Sequence, residues 1–155
     1  GDLEGFKKTI DVTMWGAFNT LRTVANRMIE KGDGGSIVLT GSPHAVVPEA
    51  NCMAYNMAKA AVDHMAKTAA VELVEHKIRV NIIRPGWTDT QGERKFFNED
   101  QLLEGARDIP AGRLASPQEI ARGILFLLDD QSEYINASTL TIDGGMSLPW
   151  SERRF

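Results

Sequence analysis

The chain has 155 residues, 43% of them hydrophobic and 25% charged, with a formal net charge of −4; it is long enough to bury a core and ordinary in composition for one globular domain. Mild acidity gives no electrostatic reason to expect nucleic acid or an anionic membrane as a partner, and no apolar run reaches the ~18 residues of a membrane span. The N-terminus lacks a basic-then-apolar signal pattern, and the single cysteine, Cys52, cannot form an internal disulfide and fits a reducing cytoplasm.

Leu3 to Lys31 reads as one long helical pattern, stopped by Gly32 with Gly34 and Gly35 behind it. Gly35-Ser36-Ile37-Val38-Leu39-Thr40-Gly41-Ser42 is a short apolar, β-branched run closed by Gly-Ser, a buried strand with Ser42 at its C-terminal end. After a loop over residues 43–52, an amphipathic helix is expected from Met53 to about Glu75. Its small-residue stripe, Ala54, Ala58, Ala61, Met65 and Ala69, suits close packing. Ile78 to Arg84 is a second buried strand, broken by Pro85-Gly86. A polar stretch between Trp87 and Ile109, with a short helix near Glu99 to Arg107, has the character of a segment that covers a substrate site. Ser116-Pro117-Gln118-Glu119 is a helix start, with Ser116 as N-cap, Pro117 in the first position and Glu119 completing a capping box; the helix runs to about Asp129. Thr139 to Ile142 is the last strand, and the tail after Gly145 is expected to be irregular.

Strand, helix, strand at these lengths makes a βαβ unit, so the fold class is α/β with three parallel strands and long helices. Ligands of open parallel sheets bind at the C-terminal strand edge. Ser42, the start of the Met53 helix and the segment after Arg84 are therefore expected to meet there.

Tyr55 and Lys59 stand four residues apart and project from one helix face. A phenol has a reference pKa of about 10, and a nearby ammonium is expected to lower it, which suits general acid/base work. Taken singly, each element has a plainer reading. The Tyr/Lys pair fits a solvated helix face, Ser42 a strand-end turn, Pro85-Gly86 a strand terminator, and Asp143-Gly144-Gly145 a tight turn. His44, His64 and His76 lack metal-ligand spacing and no metal site is expected, although His44 follows Ser42 closely enough to line a substrate pocket. Trp87, Phe96 and Phe97 suit a pocket wall as well as core or lid packing.

Taken in order, Ser42, then Tyr55-Asn56-Met57-Ala58-Lys59, Arg79-Val80-Asn81, Pro85-Gly86-Trp87-Thr88-Asp89-Thr90 and Leu140-Thr141-Ile142-Asp143-Gly144-Gly145 resemble the short-chain dehydrogenases/reductases. The likeness runs from about Phe6 to Gly145 and is nearest the glucose dehydrogenase-like and ketoacyl reductase-like members. It implies a doubly wound, Rossmann-type sheet and an oxidoreductase that moves hydride between NAD or NADP and a secondary alcohol, sugar or ketone. It also implies roles: Tyr55 as proton donor and acceptor, Lys59 tuning Tyr55 and holding the nicotinamide ribose, and Ser42 hydrogen-bonding the reacting oxygen. Pro85, Gly86, Trp87, Thr88 and Thr90 would form the turn around the nicotinamide, with His44, Trp87 and Phe96 toward substrate.

The family's fold opens with a glycine-rich turn for the pyrophosphate, and no G-x-x-x-G-x-G or G-x-G-x-x-G stands here. Residues 1–155 are accordingly expected to be a single partial dinucleotide-binding domain, the C-terminal, catalytic part without the glycine-rich half. The residue that reads the ribose is not included, so NAD and NADP are not distinguished. A further departure is Thr13, in Asp11-Val12-Thr13-Met14, where the family usually has an asparagine that holds a water near the lysine. Threonine is shorter and carries one hydroxyl in place of an amide. Besides the enzyme, two readings stand: a truncated, catalytically silent assembly or regulatory subunit lacking the phosphate site, and a product with no function of its own, left with an unpaired sheet edge. The two long helices resemble those through which the family pairs subunits, which implies a homodimer or homotetramer.

Overall fold

The computed structural model describes residues 2–148. Part of the tail expected to be irregular, residues 149–155, lies outside them; Met146 to Leu148 form turns.

The first helical pattern is two α-helices, α1 (Leu3–Ile10) and α2 (Gly16–Lys31), joined by one wide turn over Asp11–Trp15. In that turn the Gly16 amide bonds the Asp11 carbonyl five residues back, so a π-type turn replaces the single uninterrupted helix that apolar periodicity predicts. Asp2 caps α1 by accepting from the Gly5 amide, and Gly32 ends α2 at φ 79°, where only glycine is free of a Cβ penalty. Strand β1 (Gly35–Thr40) stops two residues short of Ser42, which instead opens a single turn over Pro43–Ala45. Helix α3 (Met53–Glu72) ends earlier than expected; Val74–His76 is a separate tight turn leading into Lys77 at φ 57°. Strand β2 (Ile78–Pro85), helix α4 (Glu99–Arg107), helix α5 (Pro117–Leu128) and strand β3 (Thr139–Ile142) complete the order. Both α4 and α5 start with complete capping boxes, from Asn98 with Gln101 and from Ser116 with Glu119.

The three strands are parallel in the order β1-β2-β3, with Gly35 opposite Ile78 and Ile82 opposite Thr139. Because β2 is central, both its faces are covered: Ile78, Val80, Ile82 and Ile83 are all essentially inaccessible. On one face Ile37, Leu39, Val80 and Ile82 pack against Leu21 and Ala25 of α2 and Val62, Ala66 and Ala69 of α3. The buried line on α3 thus runs through Ala58, Val62, Ala66, Ala69 and Ala70, turned slightly from the expected stripe so that Ala61 and Met65 flank it. On the other face Ile83 meets Ile120 and Leu127 of α5, with Val38, Leu140 and Ile142 around them.

Arg79 and Asn81 project on the α5 side of β2 and serve the fold. Arg79 donates to the carbonyls of Leu127, Ile135 and Asp129 at 3.0–3.1 Å, meeting acceptors that a helix end leaves without partners. Asn81, fully buried, donates to the Ile135 carbonyl at 2.8 Å and accepts from the Ser138 amide at 3.0 Å. The Arg-Val-Asn run is therefore a structural clamp that routes the chain from α5 into β3.

Candidate active site

The C-terminal edge of β1 and β2 collects the residues singled out in the sequence. Ser42 is 4% exposed and takes the extended conformation; its hydroxyl accepts from the His44 amide at 3.2 Å and stands near enough to the Tyr55 phenol to favour its ionised form. His44 lies edge-on to the Tyr55 ring with centroids 6.2 Å apart, and its Nδ1 is 3.2 Å from the Val47 carbonyl. Tyr55 and Lys59 do share one face of α3, but the ammonium sits 5.6 Å over the Tyr55 ring, a cation–π arrangement, and does not reach the phenol oxygen by hydrogen bond. Its Nζ donates instead to the Thr40 carbonyl at 2.8 Å.

That placement reverses the expected tuning of Tyr55. Burial pushes its phenol above the ordinary value; the Ser42 hydroxyl works the other way, and the Glu93 carboxylate and then Cys52 push it up further. Lys59 is lowered by burial, against the Asp63 carboxylate, which raises it. Tyr55 is consequently a neutral phenol at physiological pH. The sign follows directly: a phenol harder to ionise when folded costs nothing while neutral, and the fold loses stability as pH rises past the ordinary tyrosine range. Replacing the other tyrosine, Tyr134→Phe, leaves one phenol to follow by its ultraviolet absorbance. A midpoint above pH 10.0 is expected, and a midpoint below it would contradict the burial argument.

The turn after β2 is built around close backbone approach. A Cβ on Gly86 would lie 2.5 Å from the Asp143 Cα, and the Gly86 amide bonds the Ile142 carbonyl at 2.8 Å, so Pro85-Gly86 and Asp143-Gly144-Gly145 are two halves of one contact. Asp143 accepts from the amides of Gly145 and Ser147, both at 2.9 Å. Thr88 bridges to Ala115 and donates its hydroxyl to the Gly86 carbonyl at 2.9 Å. Trp87 is fixed on three sides: its Nε1 donates to Glu93 at 2.8 Å, its ring meets Phe97 edge-on at 5.2 Å, and it lies so near α4 that a Cβ on Gly105 would be 2.1 Å from it. Phe96 is 79% exposed, and Phe97 is the ring that packs here. Thr90 is exposed, its carbonyl accepting from the Glu93 amide. Arg94 ties this segment together through Asp89 and Glu99.

Beside Tyr55 and Lys59 lies a groove of about 380 Å³ between α3, β1 and the wide turn, lined also by Thr13, Gly16, Thr20 and Val38. Thr13 therefore does face the space that Lys59 borders. Sequence reasoning missed Glu93, for which an acidic residue six after Trp87 in a polar stretch gave no distinguishing signal, and Asp63, discussed below.

Comparison with known proteins agrees with this architecture. A family profile described as enoyl-(acyl carrier protein) reductase matches residues 1–147. The chain is 34% identical over 154 residues to a 2,3-dihydro-2,3-dihydroxybenzoate dehydrogenase of Escherichia coli, covering 94% of this chain and 62% of that protein. It is 32% identical over 147 residues to a 3beta-hydroxysteroid dehydrogenase of Eggerthella lenta, covering 94% and 56%. Among solved structures, a short-chain type dehydrogenase/reductase from Mycobacterium marinum superposes with a TM-score of 0.90 at 34% identity over 96% of this chain and 59% of that one. An acetoin dehydrogenase from Enterobacter cloacae gives 0.86 at 30% identity over 100% and 60%. The chain belongs to the short-chain dehydrogenase/reductase family, with the Rossmann-type fold of its neighbours. It spans about 60% of the length of these relatives. Among the described residues no helix is long and apolar enough to cross a membrane.

Proposed function

We propose that this chain is the catalytic part of an NAD(P)-dependent dehydrogenase/reductase acting on a secondary alcohol, sugar or ketone, with Ser42, Tyr55 and Lys59 as the reacting set. The observation that carries the reading is the convergence of a buried hydroxyl, a neutral phenol beside it and an ammonium one helical turn away, at the C-terminal edge of a parallel sheet. The donor set fits the nicotinamide end of the cofactor: Lys59 spends one N–H on Thr40, leaving two for ribose hydroxyls. When bound, NAD or NADP supplies the hydride exchange. Ser42 holds the substrate oxygen by a hydrogen bond, Tyr55 donates its phenolic proton to that oxygen in reduction and recovers one in oxidation, and Lys59 fixes the ribose under the site. Pro85, Gly86, Trp87, Thr88 and Thr90 form the facing turn, and His44 and Trp87 border the substrate side.

Apolar residues left outward on the two long helices, among them Leu3, Val12, Trp15, Met53 and Met57, support pairing of subunits as a homodimer or homotetramer. The free thiol of Cys52 supports a cytoplasmic setting.

Thr13 favours a second reading, an assembly or regulatory subunit without turnover, because a shorter side chain borders Lys59 where the family uses an asparagine. One assay separates the two. The protein is mixed with NADH or NADPH and a panel of small ketones, and with NAD or NADP and secondary alcohols, while reduced-nicotinamide fluorescence is followed. Quenching or enhancement with turnover is the expected result; a signal indistinguishable from free dinucleotide under every condition would exclude the enzyme.

A further inference from the structure

Two charges sit in apolar surroundings that nothing so far accounts for. Asp63 lies on the buried side of α3 and is 5% exposed; Arg84 follows the apolar run of β2, its side chain 14% exposed. Arg84 grips a single oxygen of the carboxylate, its Nε reaching Oδ2 at 2.7 Å and its Nη2 closing on the same atom. The other oxygen, Oδ1, is buried without a hydrogen-bond partner. It faces the end of β1, where a Cβ on Gly41 would lie only 2.6 Å from it. Gly41 is the neighbour of Thr40, whose carbonyl holds the Lys59 ammonium, and Lys59 precedes Asp63 by one helical turn on α3.

We propose that Asp63, clamped by Arg84, is the positioning residue of Lys59: one helical turn away, its carboxylate supplies the counter-charge that holds the ammonium against the Thr40 carbonyl. A fork-shaped guanidinium could take both carboxylate oxygens; taking one leaves the other to act on a second cation, and leaving a buried acceptor wholly unused is costly. The other groups facing Lys59 do not substitute for it. From its own helix come the neutral phenol of Tyr55 and Val62, from β1 Val38, Leu39 and Thr40, and from the wide turn and α2 Val12, Thr13, Gly16, Ala17 and Thr20, none of them anionic. Asp63, one helical turn further along α3, is the carboxylate that acts on Lys59, and the direction in which it moves Lys59, toward the charged form, agrees. The Asp63–Arg84 pair is accordingly retained for the lysine, since a buried ion pair is weak support for stability in itself.

The inference rests on Lys59 having the role given above, and its test reads Lys59 separately from turnover. In Asp63→Asn, competitive amine acetylation is followed across pH by peptide mass spectrometry, with exposed Lys67 of the same helix as the internal reference. The expected result is a rise of about threefold or more in the Lys59/Lys67 labelling ratio near neutral pH, as the ammonium loses its counter-charge. Asp63→Glu should restore the parent ratio in part. If Asp63→Asn does not fold, Asp63→Asn with Arg84→Gln removes both charges; a smaller rise in the same direction is expected, because the loss of the Arg84 cation offsets part of the change. An unchanged ratio in whichever of these folds overturns the proposal. The pH profile of turnover is recorded in parallel, and its alkaline limb should move to lower pH with the ratio. A changed ratio with an unmoved profile upholds Asp63 as the anchor of Lys59 and removes Lys59 from the reaction.

Discussion

Tyr55→Phe is expected to lower turnover by roughly 10²- to 10⁴-fold, the range a positioned acid/base contributes, while dinucleotide binding stays close to the parent's. The phenyl ring keeps the face over which Lys59 sits and the wall it gives to the groove; only the proton-bearing oxygen beside Ser42 is removed. Steady-state kinetics beside a fluorescence binding titration separate the two effects. Equal rates for variant and parent would take Tyr55 out of the mechanism, and lost binding with the rate reduced only in proportion would make it a cofactor ligand alone. Because burial holds the phenol neutral, proton donation to a carbonyl oxygen should persist to higher pH than an ordinary tyrosine allows.

The largest effect on the fold is expected at Gly86. Its backbone angles lie in no special region, so the demand for glycine is one of space: an added methyl would be 2.5 Å from the Asp143 Cα and 3.1 Å from the Asp143 carbonyl oxygen. Both obstacles are main chain, and neither can swing aside. Gly86→Ala must part the ends of β2 and β3, breaking the 2.8 Å bond from the Gly86 amide to Ile142. Overpacking of this kind costs about 1–3 kcal/mol, which for a chain of this size is a fall of roughly 3–10 °C in Tm. Gly92→Ala is the control, since its methyl would meet only the Thr90 hydroxyl at 3.4 Å. Differential scanning calorimetry of the two variants decides the point; equal melting temperatures would show that the turn yields more readily than its geometry implies.

Much of the architecture was legible in the sequence for identifiable reasons. Strand β2 announces itself because a central parallel strand is covered on both faces, giving the unbroken Ile-Arg-Val-Asn-Ile-Ile run. Helices α4 and α5 begin where side chains can reach back to their first amides. Periodicity could not reveal the wide turn at Asp11–Trp15, because the extra residue is accommodated by backbone bonding five residues apart and the apolar spacing changes little. In the site, residue types and order brought Ser42, Tyr55 and Lys59 together, but the sign of the Tyr55 shift was beyond reach. A four-residue spacing says that two side chains share a face; it does not say that one lies over the other's ring and bonds a main-chain carbonyl, nor that the phenol's surroundings disfavour its ionisation. Asp63 and Arg84 did leave a trace, a lone carboxylate on an otherwise small-residue helix face and a cation closing the apolar end of β2. Such residues pair with each other more often than with water.

All the partners of Arg79 and Asn81 between α5 and β3 are main-chain groups of Leu127, Asp129, Ile135 and Ser138. The course of that crossing is therefore held from the sheet, and from its own side Asn136 adds bonds from the Val80 amide and to the Ala70 carbonyl. Tyr134, on that crossing and fully accessible, is a natural attachment point for a fluorophore or an epitope.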